Sequence, residues 1–204
     1  MKVLKKFNRG VVIAVIALIG VSIYLVGLGI SQNAELPAIK QVTESYIQTY
    51  VGYNMLPKEY RTATPNVPQA TMDSYIAKMQ TDIKSYFAAG DNSYQFMTDA
   101  LKSGLQSQIS DATVVYSYTK TISKYTSFVF DKSTVTVTVD TNSSYNGPDT
   151  SSSSAGSFKG NAVTTDTVVL KKVDGAWKVV YSDITKPTQR ESFGGGMRRD
   201  FGKG

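Results

Sequence analysis

The stretch KKVDGAWKVVYSD, Lys171–Asp183, decides the fold. Asp174-Gly175 separates two runs rich in Val and aromatic residues, and an Asp-Gly pair supplies the positive φ angles of a type I′ hairpin turn. A two-residue loop also sets the register. Val173 faces Ala176, Lys172 faces Trp177, Lys171 faces Lys178, Leu170 faces Val179, Val169 faces Val180 and Val168 faces Tyr181. Because side chains alternate across a strand, Val168, Leu170, Trp177, Val179 and Tyr181 share one face, joined only by Lys172. On the other face Lys171 stands opposite Lys178, and two ammonium groups at that spacing must stay hydrated. The Trp177 face therefore looks toward a core that other elements have to supply.

Those elements lie upstream. From Ala112 onward the apolar period is two, and TVVYSYT, TSFVF, STVTVTVD, AVTTDTVVL and AWKVVYSD read as five strands. Before Ala112 the period is that of a helix. Pro37 stands near the first turn of a helix whose apolar residues Ile39, Val42, Tyr46, Tyr50 and Tyr53 form one stripe, with Ile47 and Val51 beside it. Residues 54–67 contain prolines and read as a loop. A second helix is expected from about Pro68 to Ala89, with Met72, Tyr75, Ile76, Met79, Ile83, Tyr86 and Phe87 on one face and Gly90 as its stop. A third starts at one of the N-caps Asp91, Asn92 or Ser93 and runs to about Leu105, with Tyr94, Met97 and Leu101 inward. Three helices followed by an antiparallel sheet is an α+β layout, the helices covering one sheet face. Residues 141–160, TNSSYNGPDTSSSSAGSFKG, read as a flexible loop, and residues 188–204 as a disordered Gly-rich basic tail.

The N-terminus reads first as a retained membrane anchor, with a cleaved signal peptide and a buried core helix as the alternatives. Residues 1–10 carry Lys2, Lys5, Lys6 and Arg9 with no acid, and Val11–Ile30 is free of charge. A run of that length, at about 1.5 Å per helical residue, spans a hydrocarbon core of roughly 30 Å. Positive charge stays on the cytoplasmic side, which places residues 1–10 in the cytoplasm, residues 11–30 in the lipid of the cell membrane and the remainder outside the cell membrane. Gly20, Gly27 and Gly29 make no Gly-x-x-x-Gly pair, so a plain lipid-facing span is expected.

Of the net charge of +6, the first ten residues hold +4 and Arg190–Gly204 hold +2, while the body between them is neutral. Nothing in that distribution suits nucleic acid. There is no Cys and no His, which excludes disulfides, thiol nucleophiles and the serine-histidine-acid triad, and removes the commonest zinc ligand. No metal site and no cofactor are expected.

The run VVLKKVDGAWKVVYSD, residues 168–183, and the charged turn leading into an alternating strand in FDKSTVTVTV, residues 130–139, resemble the nuclear transport factor 2-like superfamily. The resemblance implies a cone-like domain over residues 34–187, in which three helices pack on a curved antiparallel sheet. This chain departs from the common pattern by placing all three helices before any strand. In superfamily enzymes such as ketosteroid isomerase the cone holds an acidic base and a tyrosine donor. The candidates for such a pocket here are Tyr46, Tyr50, Asp140, Asp166, Trp177 and Asp183. Anchored members of the superfamily include scaffold subunits of bacterial secretion and conjugation machines. That likeness implies an assembly module with no catalytic activity, meeting a protein partner at the cell surface or forming a homo-oligomer. A ligand-binding or catalytic cone is the alternative, and an open cavity would distinguish it.

Overall fold

The computed structural model describes residues 9–111, 113–148 and 157–186. Three α-helices precede four strands: α1 Arg9–Gly52, α2 Gln69–Lys84 and α3 Ser93–Ser110, then β1 Ser117–Asp131, β2 Thr134–Pro148, β3 Ser157–Val173 and β4 Ala176–Asp183. The class is α+β, as the change of period predicts. The chain divides into two compact units, Met1–Lys40 and Gln41–Gly204. The described part of the first unit is the front of α1. Residues 11–30 lie along that helix, with most of their side chains outside the described set. Among the described residues no helix is long and apolar enough to cross a membrane. Residues 1–8, residues 149–156 of the expected loop and the tail 188–204 lie outside the described residues.

Pro37 does not open the first domain helix. It sits inside α1, where it withholds an N–H from the carbonyl of Asn33. Both residues are exposed, so that carbonyl is open to water and the helix continues. At its far end α1 buries Tyr46, Ile47 and Val51, with Tyr53 following. α2 ends at Lys84 rather than Ala89, and Gly90, at φ +79°, turns the chain toward α3 instead of capping α2. α3 runs on to Ser110, past the expected end at Leu105.

The sheet is antiparallel in the order β1-β2-β3-β4. The five expected strands are four, because residues from TVVYSYT and TSFVF belong to the single strand β1. Its register against β2 shifts between Ile122 and Lys124 and again between Tyr125 and Ser127. Each extra residue bends the strand and breaks the alternation by which a strand is recognised. The expected flexible loop is largely paired strand: Thr141–Pro148 match Ser157–Thr164 residue for residue. Inner Thr141, Ser143, Tyr145, Ala162 and Thr164 are buried while Asn142, Ser144, Asn161 and Val163 are exposed, so a period of two runs beneath a loop-like composition.

The decisive hairpin forms as read, with Asp174 at φ +50° and Gly175 at +81°. The expected pairs hold from Val173–Ala176 to Leu170–Val179, and then β4 slips. Val169 pairs with Tyr181 and Val168 with Ser182, leaving Val180 as the extra residue. Tyr181 is therefore turned outward, 51% exposed, and Ser182 takes the inner position.

The sheet curls around α1. Tyr46 Oη shares a 2.8 Å hydrogen bond with Ser182 Oγ on β4. Two residues on, Gln48 Nε2 donates to the Lys120 carbonyl on β1 at 2.6 Å. β1 and β4 are opposite edges, which a flat sheet would hold roughly 14 Å apart. One helix reaches both because the edges bend toward it. Inside, Val135, Val137, Val139, Val168, Leu170 and Val179 are fully buried beneath Ile47, Leu56, Met79, Ile83 and Leu105.

Candidate functional site

The inner face changes character along the strands. Near the Asp174-Gly175 turn it is aliphatic. Toward the other end it presents Lys120 on β1, Thr141 and Ser143 on β2, Thr164 and Asp166 on β3 and Ser182 on β4, all buried. Lys120 Nζ lies 2.7 Å from Asp166 Oδ1, with both side chains fully buried. The Thr141 hydroxyl lies 3.0 Å from the second carboxylate oxygen. The same two charges hold the chain just beyond β4, where Lys120 Nζ donates to the Thr185 carbonyl at 2.6 Å and the Thr185 N–H donates to Asp166 Oδ1 at 2.9 Å.

The six predicted site residues do not form one pocket. Tyr46 is fully buried against Tyr86 and Phe87, with its hydroxyl on Ser182, and burial pushes its phenol far above the ordinary range. Tyr50, one turn on, is half-buried; burial first, and the Asp183 carboxylate second, raise its pKa. Tyr50 and Asp183 are thus a phenol and an acid brought near one another. Asp166 is instead taken by Lys120. Asp140 lies on the outer face, where Thr165 Oγ1 donates to its carboxylate at 2.9 Å. Trp177 is buried near the turn, with Lys172 Nζ 5.9 Å from its ring centroid. Among the described residues no group of three His, Cys, Asp or Glu side chains is placed to hold a metal.

Sequence reasoning missed Lys120, the cation that neutralises the site. Its signal was positional: Tyr118, Lys120 and Ile122 alternate on one face, while Asp166 sits two residues before Val168 on the predicted inner face.

Two other surfaces stand out. An open groove of about 430 Å³ between α2 and α3 is lined by Val67, Met72, Ile76 and Ile109, with Asp73 and Lys102 at its sides. On the outer sheet face Val129, Thr136, Val169 and Tyr181 fall in one cross-strand row over all four strands. Its end residues are 59% and 51% exposed.

No family model matches the sequence, and no curated protein does. A solved structure that matches is a putative calcium/calmodulin dependent protein kinase II association domain from Xanthomonas campestris, at 11% identity, covering 63% of this chain and 94% of that one, with a TM-score of 0.26. The likeness lends no function to this chain.

Proposed function

We propose that this chain is a single-pass membrane protein whose nuclear transport factor 2-like domain lies outside the cell membrane and works as a non-catalytic protein-interaction and assembly module. The observation that carries the reading is the filled interior. Tyr46, Lys120, Thr141 and Asp166 have 0% exposure, so no water-sized molecule touches the Tyr46 phenol or the Asp166 carboxylate, while the other acid and phenol, exposed Asp183 and half-buried Tyr50, lie outside this sealed interior. The acid is neutralised by Lys120 and the phenol is engaged by Ser182. Work done by such a domain falls to its outer surface, where the row Val129–Thr136–Val169–Tyr181 offers an uncharged strip to a partner protein. The basic start, the uncharged residues 11–30 and the neutral body support the anchored arrangement.

The absence of native cysteine gives a direct test, since any introduced thiol is unique. Lys124→Cys and Tyr181→Cys are expressed in the full chain and treated with a membrane-impermeant maleimide, first on intact cells and then in detergent. Lys124→Cys should react in intact cells. Tyr181→Cys should react more slowly there than after dispersal, because a partner covers it. If Lys124→Cys reacts only after lysis, the topology is wrong; if Tyr181→Cys reacts equally in both, the outer row is not the contact face.

A further inference from the structure

The structure assigns the Lys120–Asp166 pair a role as a receptor for extended peptide main chain, occupied here by the chain's own Ile184–Lys186. This inference is independent of the membrane-anchored reading. It starts from an energetic oddity: a buried ion pair is on average no better for stability than apolar side chains of the same size. The pair stands in an interior that is otherwise well supplied with Val, Leu and Ile. What apolar residues cannot do is hydrogen-bond a backbone, and that is where both charges point.

The contacts are made to both main-chain groups of one residue. The Thr185 N–H meets the carboxylate and the Thr185 carbonyl meets the ammonium, an exchange of the kind an antiparallel neighbour makes in a hydrogen-bonded pair. Tyr118 Oη adds a third, longer contact to the same carbonyl at 3.4 Å. The side chain of Thr185 contributes a hydroxyl 3.4 Å from the Thr165 carbonyl. Recognition is therefore mostly blind to sequence, and the ligand class is an extended peptide.

The occupant is also detached from its own ladder. β3 and β4 pair as far as Thr167–Asp183, and continuing that register would set Thr185 opposite Thr165. The main-chain groups of Thr185 turn instead to side chains on β1 and β3. Beside Lys120 on β2, Ser143 Oγ is buried with no hydrogen-bond partner among the described residues, so the polar floor extends beyond what the cis segment satisfies.

The test uses the full chain in detergent with Thr185→Pro, which removes the N–H that Asp166 accepts. The probe is a synthetic peptide of residues 182–188, SDITKPT, with a second version N-methylated at the threonine. The variant should bind the first peptide, and N-methylation should weaken binding at least about tenfold, the size of one hydrogen bond to a charged group. Adding Lys120→Met and Asp166→Leu to the variant should abolish binding. Equal binding of the two peptides, or binding that survives loss of both charges, overturns the proposal. Should the proline variant not fold, hydrogen exchange in the unaltered chain decides: the Thr185 amide should exchange at least about a hundredfold more slowly than an unprotected one, and exchange at the free rate overturns it.

Discussion

Replacing Lys120 with Met tests what the polar floor does for stability. The substitution keeps length and apolar volume but leaves Asp166 fully buried with no cation at 2.7 Å, and leaves the Thr185 carbonyl without its donor. Breaking a buried pair on one side costs about 3–5 kcal/mol. For a domain of this size each kcal/mol moves the midpoint by about 2–4 °C, so Lys120→Met should melt roughly 6–20 °C below the parent. Trp177, the one tryptophan and 7% exposed, reports the transition by fluorescence. Asp166→Leu alone strands the ammonium and should cost a similar amount. The double variant Lys120→Met/Asp166→Leu buries neither charge and should recover most of the loss, giving a coupling of at least about 2 kcal/mol in the cycle. A Lys120→Met midpoint close to the parent's would refute the reasoning, as would a double variant that melts at the sum of the single losses.

Further outcomes follow from backbone geometry and from the tyrosines. A Cβ at Gly147 would sit 2.8 Å from Tyr145 Oη and 3.1 Å from Val115 Cα, so Gly147→Ala should cost about 1–3 kcal/mol in urea unfolding unless the Tyr145 ring gives way freely. Lys132 adopts φ +52° in the β1–β2 turn, and Lys132→Gly should raise the urea midpoint by roughly 0.5–1 kcal/mol equivalent with an unchanged slope. Burial, then the hydrogen bond to Asp82, pushes the Tyr53 phenol up to about 12, and burial raises Tyr46, Tyr50, Tyr75 and Tyr125 as well. Tyrosine in the unfolded chain ionises near pH 10, so the folded state holds these protons more tightly. Their contribution to stability is complete below about pH 10 and is lost as pH rises toward and beyond 12. The part of the phenolate absorbance that Tyr53→Phe removes should therefore rise only toward pH 12, and its appearance near pH 10 in the folded chain would refute it.

How far the sequence led can be judged from single residues. Register was legible from the turn outward to Leu170–Val179, because Asp174-Gly175 is a local signal with a local cause. It failed at Val180, where Tyr181 and Ser182 exchange roles. The hydroxyl that meets Ser182 belongs to Tyr46, 136 residues away, and no local pattern carries it. Asp166 could be placed on the inner face by parity with Val168, but its chemistry depended on a lysine 46 residues earlier. The long β2–β3 pairing was hidden by Ser, Asn and Gly, residues poor in strand propensity; its inner face is joined instead by contacts such as the buried hydroxyl pair Thr141–Thr164 at 3.1 Å. Pro37 misled in the opposite sense, because an exposed helix tolerates the lost N–H that a buried one would not.

The edges of the sheet decide where a partner can meet it. Assembly by strand addition needs a free run of N–H and C=O groups along an edge strand. On β4 that run is short, the Val179 N–H is already given to the Tyr86 carbonyl at 2.8 Å, and Lys178 reaches across to the Ser85 carbonyl. On β1 the Tyr118 N–H meets Met55 Sδ and the Lys120 carbonyl accepts from Gln48. Further along β1, the two register shifts between Ile122 and Ser127 break the even spacing that an added strand would need. Both edges are blunted by the same contacts that curl the sheet around α1. Among the described residues, most inner-facing strand positions are buried beneath the helices. Under the proposed assembly role, the broad outer face, with the Val129–Tyr181 row across its middle, is the part of the sheet a partner protein would meet. Substituting Val129 and Tyr181 with Lys should therefore weaken partner capture without moving the Trp177 melting midpoint, whereas Lys120→Met should move the midpoint first.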